Sequence, residues 1–188
     1  MVGVIAPGLT TAEAAERRAI DGPNRMPASK RPSVFRRLLG DWPADAAVEV
    51  SFDSSALTAL YDQAGLLLWI DDTHWAKVGL EVSDGVLHLG AVVTNGVSDW
   101  SLAPVADWSG EVVTIRASRS GVEGDAITLR ARTAASAWRT LRVAPLDARA
   151  ASAGPMLCAP MRTGLAVRFT RWAFPPADVD LHEDPPLG

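Results

Sequence analysis

Trp75, Lys77 and Glu81 stand at alternate positions along one predicted strand, so all three share a face, with Ala76, Val78, Leu80 and Val82 on the other. An indole face stacks on a sugar ring, and an ammonium and a carboxylate beside it can fix hydroxyl groups. The same trio also reads as a surface ion pair packed on an indole. A sandwich glycosidase needs two carboxylates facing one cleft, roughly 5–10 Å apart. On a strand that means acids two residues apart. Glu49 and Asp53 are four apart, roughly 13 Å along a strand. Glu81 and Asp84 are three apart, and Asp84 falls in a turn. Only a pair formed across strands would supply hydrolysis, and no spacing points to one.

Other chemistries find less support. His74, His88 and His182 lie far apart in unlike contexts, without zinc-ligand spacing. Asp71-Asp72 reads as a turn, although turn acids can help hold calcium. Asp178, Asp180 and Asp184 read as solvated acids. Cys158, between Leu157 and Ala159, reads as a core thiol. Residues 119–125 read as a hairpin turn rather than a phosphate loop. No cofactor is implied.

The elements that would hold these residues are strands. Val48, Val50 and Phe52 alternate with Glu49, Ser51 and Asp53, and Leu87, Leu89, Ala91 and Val93 alternate with His88, Gly90, Val92 and Thr94. Asp71-Asp72, Ser83-Asp84-Gly85 and Asn95-Gly96 punctuate them as turns. Further strands are predicted near 112–119, 125–133, 137–144, 153–159 and 163–174. About nine short strands separated by turns imply an all-β antiparallel sandwich. Residues 1–45 differ: Thr10-Thr11-Ala12-Glu13 fits a capping box, Asp21-Gly22-Pro23 ends the helix it opens, and a short basic helix fits 33–39. The expected organisation is a helical N-terminal extension over 1–45, a sandwich over 46–176 and a loose, acidic, Pro-rich tail over 177–188.

The 188 residues fit one medium domain with an appendage. A net charge of −4 argues against non-specific nucleic-acid binding. The charge is uneven, since residues 8–40 carry seven Lys/Arg against three Asp/Glu. A single cysteine rules out an internal disulfide and fits a reducing compartment. The apolar run 64–70 is too short to span a bilayer, and the N-terminus lacks a basic signal-peptide start, so no membrane span and a cytoplasmic location are expected. Seven Trp against one Tyr and four Phe is a skewed aromatic set, and for most of them a core role is the simpler reading.

Two resemblances follow from longer motifs. YDQAGL (61–66), W-x-K-x-G-x-E (75–81), D-G (84–85), VVT (92–94) and SDW (98–100) occur in this order. R-x-S-R (116–119), W-x-x-LR (138–142) and GP-x-x-C-x-P with G-x-x-V-x-F (154–169) come after them. Residues 46–174 thereby resemble the DUF1349, or regulator-of-enolase-like, family within the concanavalin A-like lectin and glucanase superfamily. The resemblance implies a two-sheet jelly roll. It marks Asp62, Gln63, Lys77, Glu81, Thr94, Ser98, Asp99 and Trp100 as candidate ligand-binding positions, to which strand parity adds Trp75. It carries no catalytic residues. The second resemblance covers Gly8 to Gly40. Its GLT-x-x-EA-x-x-R, GPN and RPS-x-FRRLL are similar to the N-terminal segment of P-type cation-transporting ATPases, without the phosphorylation motif or membrane helices of that family.

The chain departs from the DUF1349 pattern at two places. The ATPase-like segment stands where opening strands are expected, which would uncover sheet edges and make the isolated chain unstable or self-associating. Thr133-Ala134-Ala135-Ser136 replaces an expected Ser-x-Asp-Gly-type turn. The reading favoured is a non-catalytic binding module with a glycan or a protein as ligand. A regulator of a metabolic enzyme, a glycoside-active enzyme, and a truncated or chimeric product without function are the alternatives.

Overall fold

The computed structural model describes residues 38–120, 124–148 and 150–186. The helices expected over residues 10–22 and 33–39 fall almost wholly outside them. Among the described residues, eleven strands form two antiparallel sheets. They are β1 (Gly40–Asp41), β2 (Val48–Asp53), β3 (Gln63–Trp69), β4 (His74–Ser83), β5 (Val86–Asn95), β6 (Val97–Pro104), β7 (Val112–Ser120), β8 (Ala126–Thr133), β9 (Arg139–Pro145), β10 (Ser152–Cys158) and β11 (Phe169–Ala173). The six-stranded sheet runs β1-β10-β3-β4-β5-β6, and the five-stranded sheet runs β11-β2-β7-β8-β9. This is the sandwich that the alternation predicts.

The alternating apolar residues meet between the sheets. Leu66, Leu68, Val78, Leu80, Leu89 and Val93 face Val48, Val50, Phe52, Ile115, Ile127 and Leu129, all buried. Each such side chain contributes about 1.5–3 kcal/mol on leaving water, so this layer sets the phase of every strand. Asp84 and Gly85, both with positive φ, close the two-residue turn between β4 and β5, as the Asp-Gly pair predicts. The Thr133–Ser136 turn closes with Thr133 N–H donating to Ser136 Oγ at 2.9 Å.

The sandwich takes in residues on both sides of the span read from the pattern. β1 pairs with β10 at Gly40 and Asp41. Trp42 is 4% exposed and donates its indole N–H to Ala46 O at 2.8 Å, with the Arg119 guanidinium stacked 4.1 Å from its ring centre. At the other end, the expectation of solvated acids fails for Asp178. Its carboxylate receives Arg116 Nε at 2.7 Å and Arg130 Nε at 3.1 Å on the outside of the five-stranded sheet. The segment following β11 is therefore bound there, because two buried guanidinium groups require an anion between them.

β6 shows no alternation in the sequence because it is an edge strand. Four of its first residues, Val97 to Trp100, are exposed in succession. On the same side of the sandwich, Arg142 of β9 pairs with Asp99 of β6 and closes the gap between the two edges.

Candidate functional site

The outer face of the six-stranded sheet is built by register. Met156, Gly65, Gly79, Gly90 and Leu102 lie side by side on β10, β3, β4, β5 and β6. Three of these five positions carry no side chain, and Leu102 Cδ1 lies 2.7 Å from where a Gly90 Cβ would stand, so the row forms a short trough open mainly over Gly65 and Gly79. The glycines have a packing cause. A Cβ on Gly79 would stand 2.2 Å from Ala64 O, and one on Gly65 would stand 2.1 Å from Val78 O. The close approach of β3 to β4 thus excludes side chains from the floor.

Two walls flank this floor. On one side lie Gly154, Leu67, Lys77, Val92 and Trp100, and on the other Cys158, Gln63, Glu81, His88 and Pro104. Lys77 and Glu81 stand four residues apart, so the walls are separated by about 13 Å at the backbone. Between the Met156 and Leu102 side chains that close the row, the three glycine strands span about 10 Å. Its deepest part is a cavity of about 20 Å³ rimmed by Gln63, Lys77, Glu81, Val92, Trp100 and Met156. That admits about one water-sized group, so a ligand would lie along the trough and send a single substituent inward.

The polar groups of the walls are partly engaged. Lys77 Nζ donates to Gln63 Oε1 at 2.9 Å, which holds both over the floor. Burial pushes the Glu81 carboxyl above its ordinary pKa, against the pull of Lys77 and His88. Burial likewise raises the Cys158 thiol, so it is held as the thiol rather than the nucleophilic thiolate. The outward positions of β3, β4, β5, β6 and β10 carry one carboxylate, Glu81, so a two-carboxylate hydrolytic mechanism has no second acid on this face. Among the described residues no three His, Cys, Asp or Glu side chains come together in a metal-binding arrangement.

The next row outward holds Ser152, Trp69, Trp75, Thr94 and Ser98. Trp75 lies beside Trp69, and Thr94 Oγ1 and Ser98 Oγ are 2.9 Å apart. Trp100, 51% exposed, faces the same way at the β6 end. Trp69 carries no signal in the sequence because it lies inside an unbroken apolar run, Leu66 to Ile70, in which parity is hidden. Pairing with Trp75 is what reveals it.

Seven of the nine candidate positions, Gln63, Trp75, Lys77, Glu81, Thr94, Ser98 and Trp100, therefore share this face. Asp62 and Asp99 do not. Asp62 is fully buried, receives Thr58 N–H and Ala59 N–H, and binds Arg162 through Nε at 3.0 Å and Nη2 at 2.6 Å. These donors hold its carboxyl below its ordinary pKa and tie the β2–β3 loop to the loop after β10. Asp99 pairs opposite the core residue Val93, so it leaves the outer face and stays exposed at the edge of the sandwich, where Arg142 lowers its pKa.

Comparison with known proteins agrees with this architecture. A model described as cation transporter/ATPase, N-terminus, matches residues 5–42. A Saccharomyces cerevisiae protein named Regulation of enolase protein 1 is 38% identical over 131 residues, 69% of this chain and 62% of that protein. The chain thus spans less than two thirds of this relative's length. A crystal structure of a functionally unknown protein from Saccharomyces cerevisiae superposes with a TM-score of 0.64 at 34% identity, covering 80% of this chain and 74% of that one. A xylan β-1,4-xylosidase from Bacillus halodurans superposes with a TM-score of 0.59 at 13% identity, over 71% of this chain and 28% of the enzyme, a likeness of fold alone. The model of the family described as protein of unknown function (DUF1349) matches residues 24–177, beginning well before residue 46 and overlapping the ATPase-like match. The chain belongs to the DUF1349 family.

Proposed function

We propose that the chain is a non-catalytic binding module that engages a linear glycan along the trough on the outer face of its six-stranded sheet. The observation that carries this reading is the glycine floor at Gly65 and Gly79, bridged by the Lys77–Gln63 hydrogen bond. It lies within reach of exposed Trp100 and of the hydrogen-bonding groups of Gln63, Lys77 and Glu81, with Trp69 and Trp75 on the same face. A sugar chain offers flat apolar faces to the indoles and hydroxyls to the polar walls. The single carboxylate supports binding over hydrolysis. A glycan array probed with wild type, Trp75→Ala and Trp100→Ala tests it. Binding by wild type that falls at least tenfold in both variants is expected, and equal null signals for all three sink the glycan reading.

The name of the yeast relative favours a second reading, in which the same face meets a metabolic enzyme such as enolase in the cytoplasm. A pull-down against glycolytic enzymes separates the two readings, and the absence of enrichment counts against the regulator.

A further inference from the structure

The outer face of the five-stranded sheet has a different chemistry. Arg116 of β7 and Arg130 of β8 lie directly opposite each other in register, 0% and 4% exposed. Two buried cations side by side repel unless anions intervene. Glu49 Oε1 takes Arg116 Nη1 at 2.8 Å, which compensates one of them. The other is compensated by Asp178, whose two carboxylate oxygens are shared between the guanidinium groups.

The rest of the recognition is directed at main chain. Arg116 Nη2 donates to Pro176 O at 2.6 Å, and Arg130 Nη2 donates to Leu181 O at 2.8 Å and Asp180 O at 3.3 Å. Asp178 N–H donates to Ser118 Oγ at 2.9 Å. The neighbouring side chains turn away, with Val179 87% and Leu181 43% exposed. Opposite Ser118 in register, the fully buried Thr128 Oγ1 has no hydrogen-bond partner, a further polar atom held on this face. Between the buried Pro175 and Pro185, one carboxylate and a run of backbone carbonyls are read. This is how a peptide ligand is held rather than how a core is packed.

We propose that Arg116, Arg130 and Ser118 form a binding site for a carboxylate-bearing extended peptide, filled in cis by residues 176–181. Because the bonds are polar and generic, another carboxylate can take the place of Asp178 at small net cost. The site is separate from the trough and does not depend on the glycan reading.

Chemical rescue of the full chain tests this. Asp178→Ala vacates the space between the guanidinium groups, and its melting temperature is followed in sodium formate and in sodium chloride at matched ionic strength. Formate is expected to raise it saturably by several degrees over chloride, while wild type responds alike to both salts. In parallel, a labelled peptide of residues 175–186 is titrated onto the variant and onto wild type. It is expected to bind the variant at least tenfold tighter than wild type, and tenfold tighter than the same peptide carrying Asp178→Asn. Should Asp178→Ala not fold, Asp178→Asn, which keeps the side-chain volume and the backbone bonds, replaces it in the peptide titration. Equal responses of Asp178→Ala to formate and chloride, or equal binding of the Asp and Asn peptides, overturns the proposal and leaves a fixed structural clamp.

Discussion

Replacing Asp62 by Asn tests whether this family-marked acid is a ligand group or a structural staple. In the structure its carboxylate accepts four hydrogen bonds, two from the backbone at Thr58 and Ala59 and two from Arg162. Asn keeps the volume and one carbonyl oxygen, which can retain the two backbone donors. The same oxygen can also keep Arg162 Nη2, so the NH₂ faces Arg162 Nε alone, donor against donor, and the charge assistance of both bonds is lost. Charge-assisted bonds contribute about 1.5–3 kcal/mol each. Arg162 is 35% exposed and regains water when released, which offsets about half of that loss. The net cost is about 2–3 kcal/mol, or about 5–10 °C in melting temperature for a domain of this size. Urea titration gives the free energy, and a cycle with Arg162→Ala gives the coupling, expected at about 1–2 kcal/mol. The pH dependence provides a second check. The folded carboxyl lies below its ordinary value of 3.8, so the stability it contributes is present above that value and is lost as pH falls through the folded pKa. Wild type should lose this increment below about pH 4 and Asp62→Asn should not. A cost under about 0.5 kcal/mol, or a coupling near zero, would refute the staple and return Asp62 to the ligand candidates.

Two further outcomes concern the trough. Gly79→Ala should destabilise by about 2–3 kcal/mol in urea, because its Cβ would stand 2.2 Å from Ala64 O and 2.7 Å from Gly65 Cα, contacts that only a backbone shift relieves. A change within about 0.5 kcal/mol would mean that the floor is not packed as described. Glu81→Gln should stabilise the fold at pH 7, since burial raises the Glu81 pKa and its ionised form is the unfavourable one in the folded chain. The stability of the protonated carboxyl is full below its unfolded value and is lost as pH rises through the folded one. The gain from Gln should therefore vanish in urea titrations below about pH 4. A gain that persists there would point to packing rather than charge.

How much of the site was legible turns on strand position. β4 is a central strand with one face in the core, so its alternation exposed Trp75, Lys77 and Glu81 as one set. Neighbouring polar residues at strand starts and edges gave no such phase. Asp62 and Gln63 are adjacent in a motif that marks both. β3 begins at Gln63, which pairs with Glu81 and faces the trough, while Asp62 turns under the loop to a partner 100 residues away. Asp99 and Trp100 split in the same way on β6, where exposure on both faces erases the pattern. The trough itself could not be read, because Gly65, Gly79 and Gly90 become one feature only when three strands are set in register.

The two outer faces also differ in what the alternation could show. On the six-stranded sheet the outward residues are a mixture of Gly, Trp and polar types, so parity alone separated them from the core. On the five-stranded sheet, Arg116 and Arg130 look like ordinary solvated outward residues, and Asp178 looks like part of an acidic tail. Only the register of the β7–β8 hairpin sets the two guanidinium groups side by side, and that juxtaposition creates the demand for an anion. A bound C-terminal segment is thus a consequence of strand register, since two buried cations on adjacent strands oblige a carboxylate to come from elsewhere. The same register that lines one face with Gly, Trp and polar side chains has filled the other with the chain's own acid.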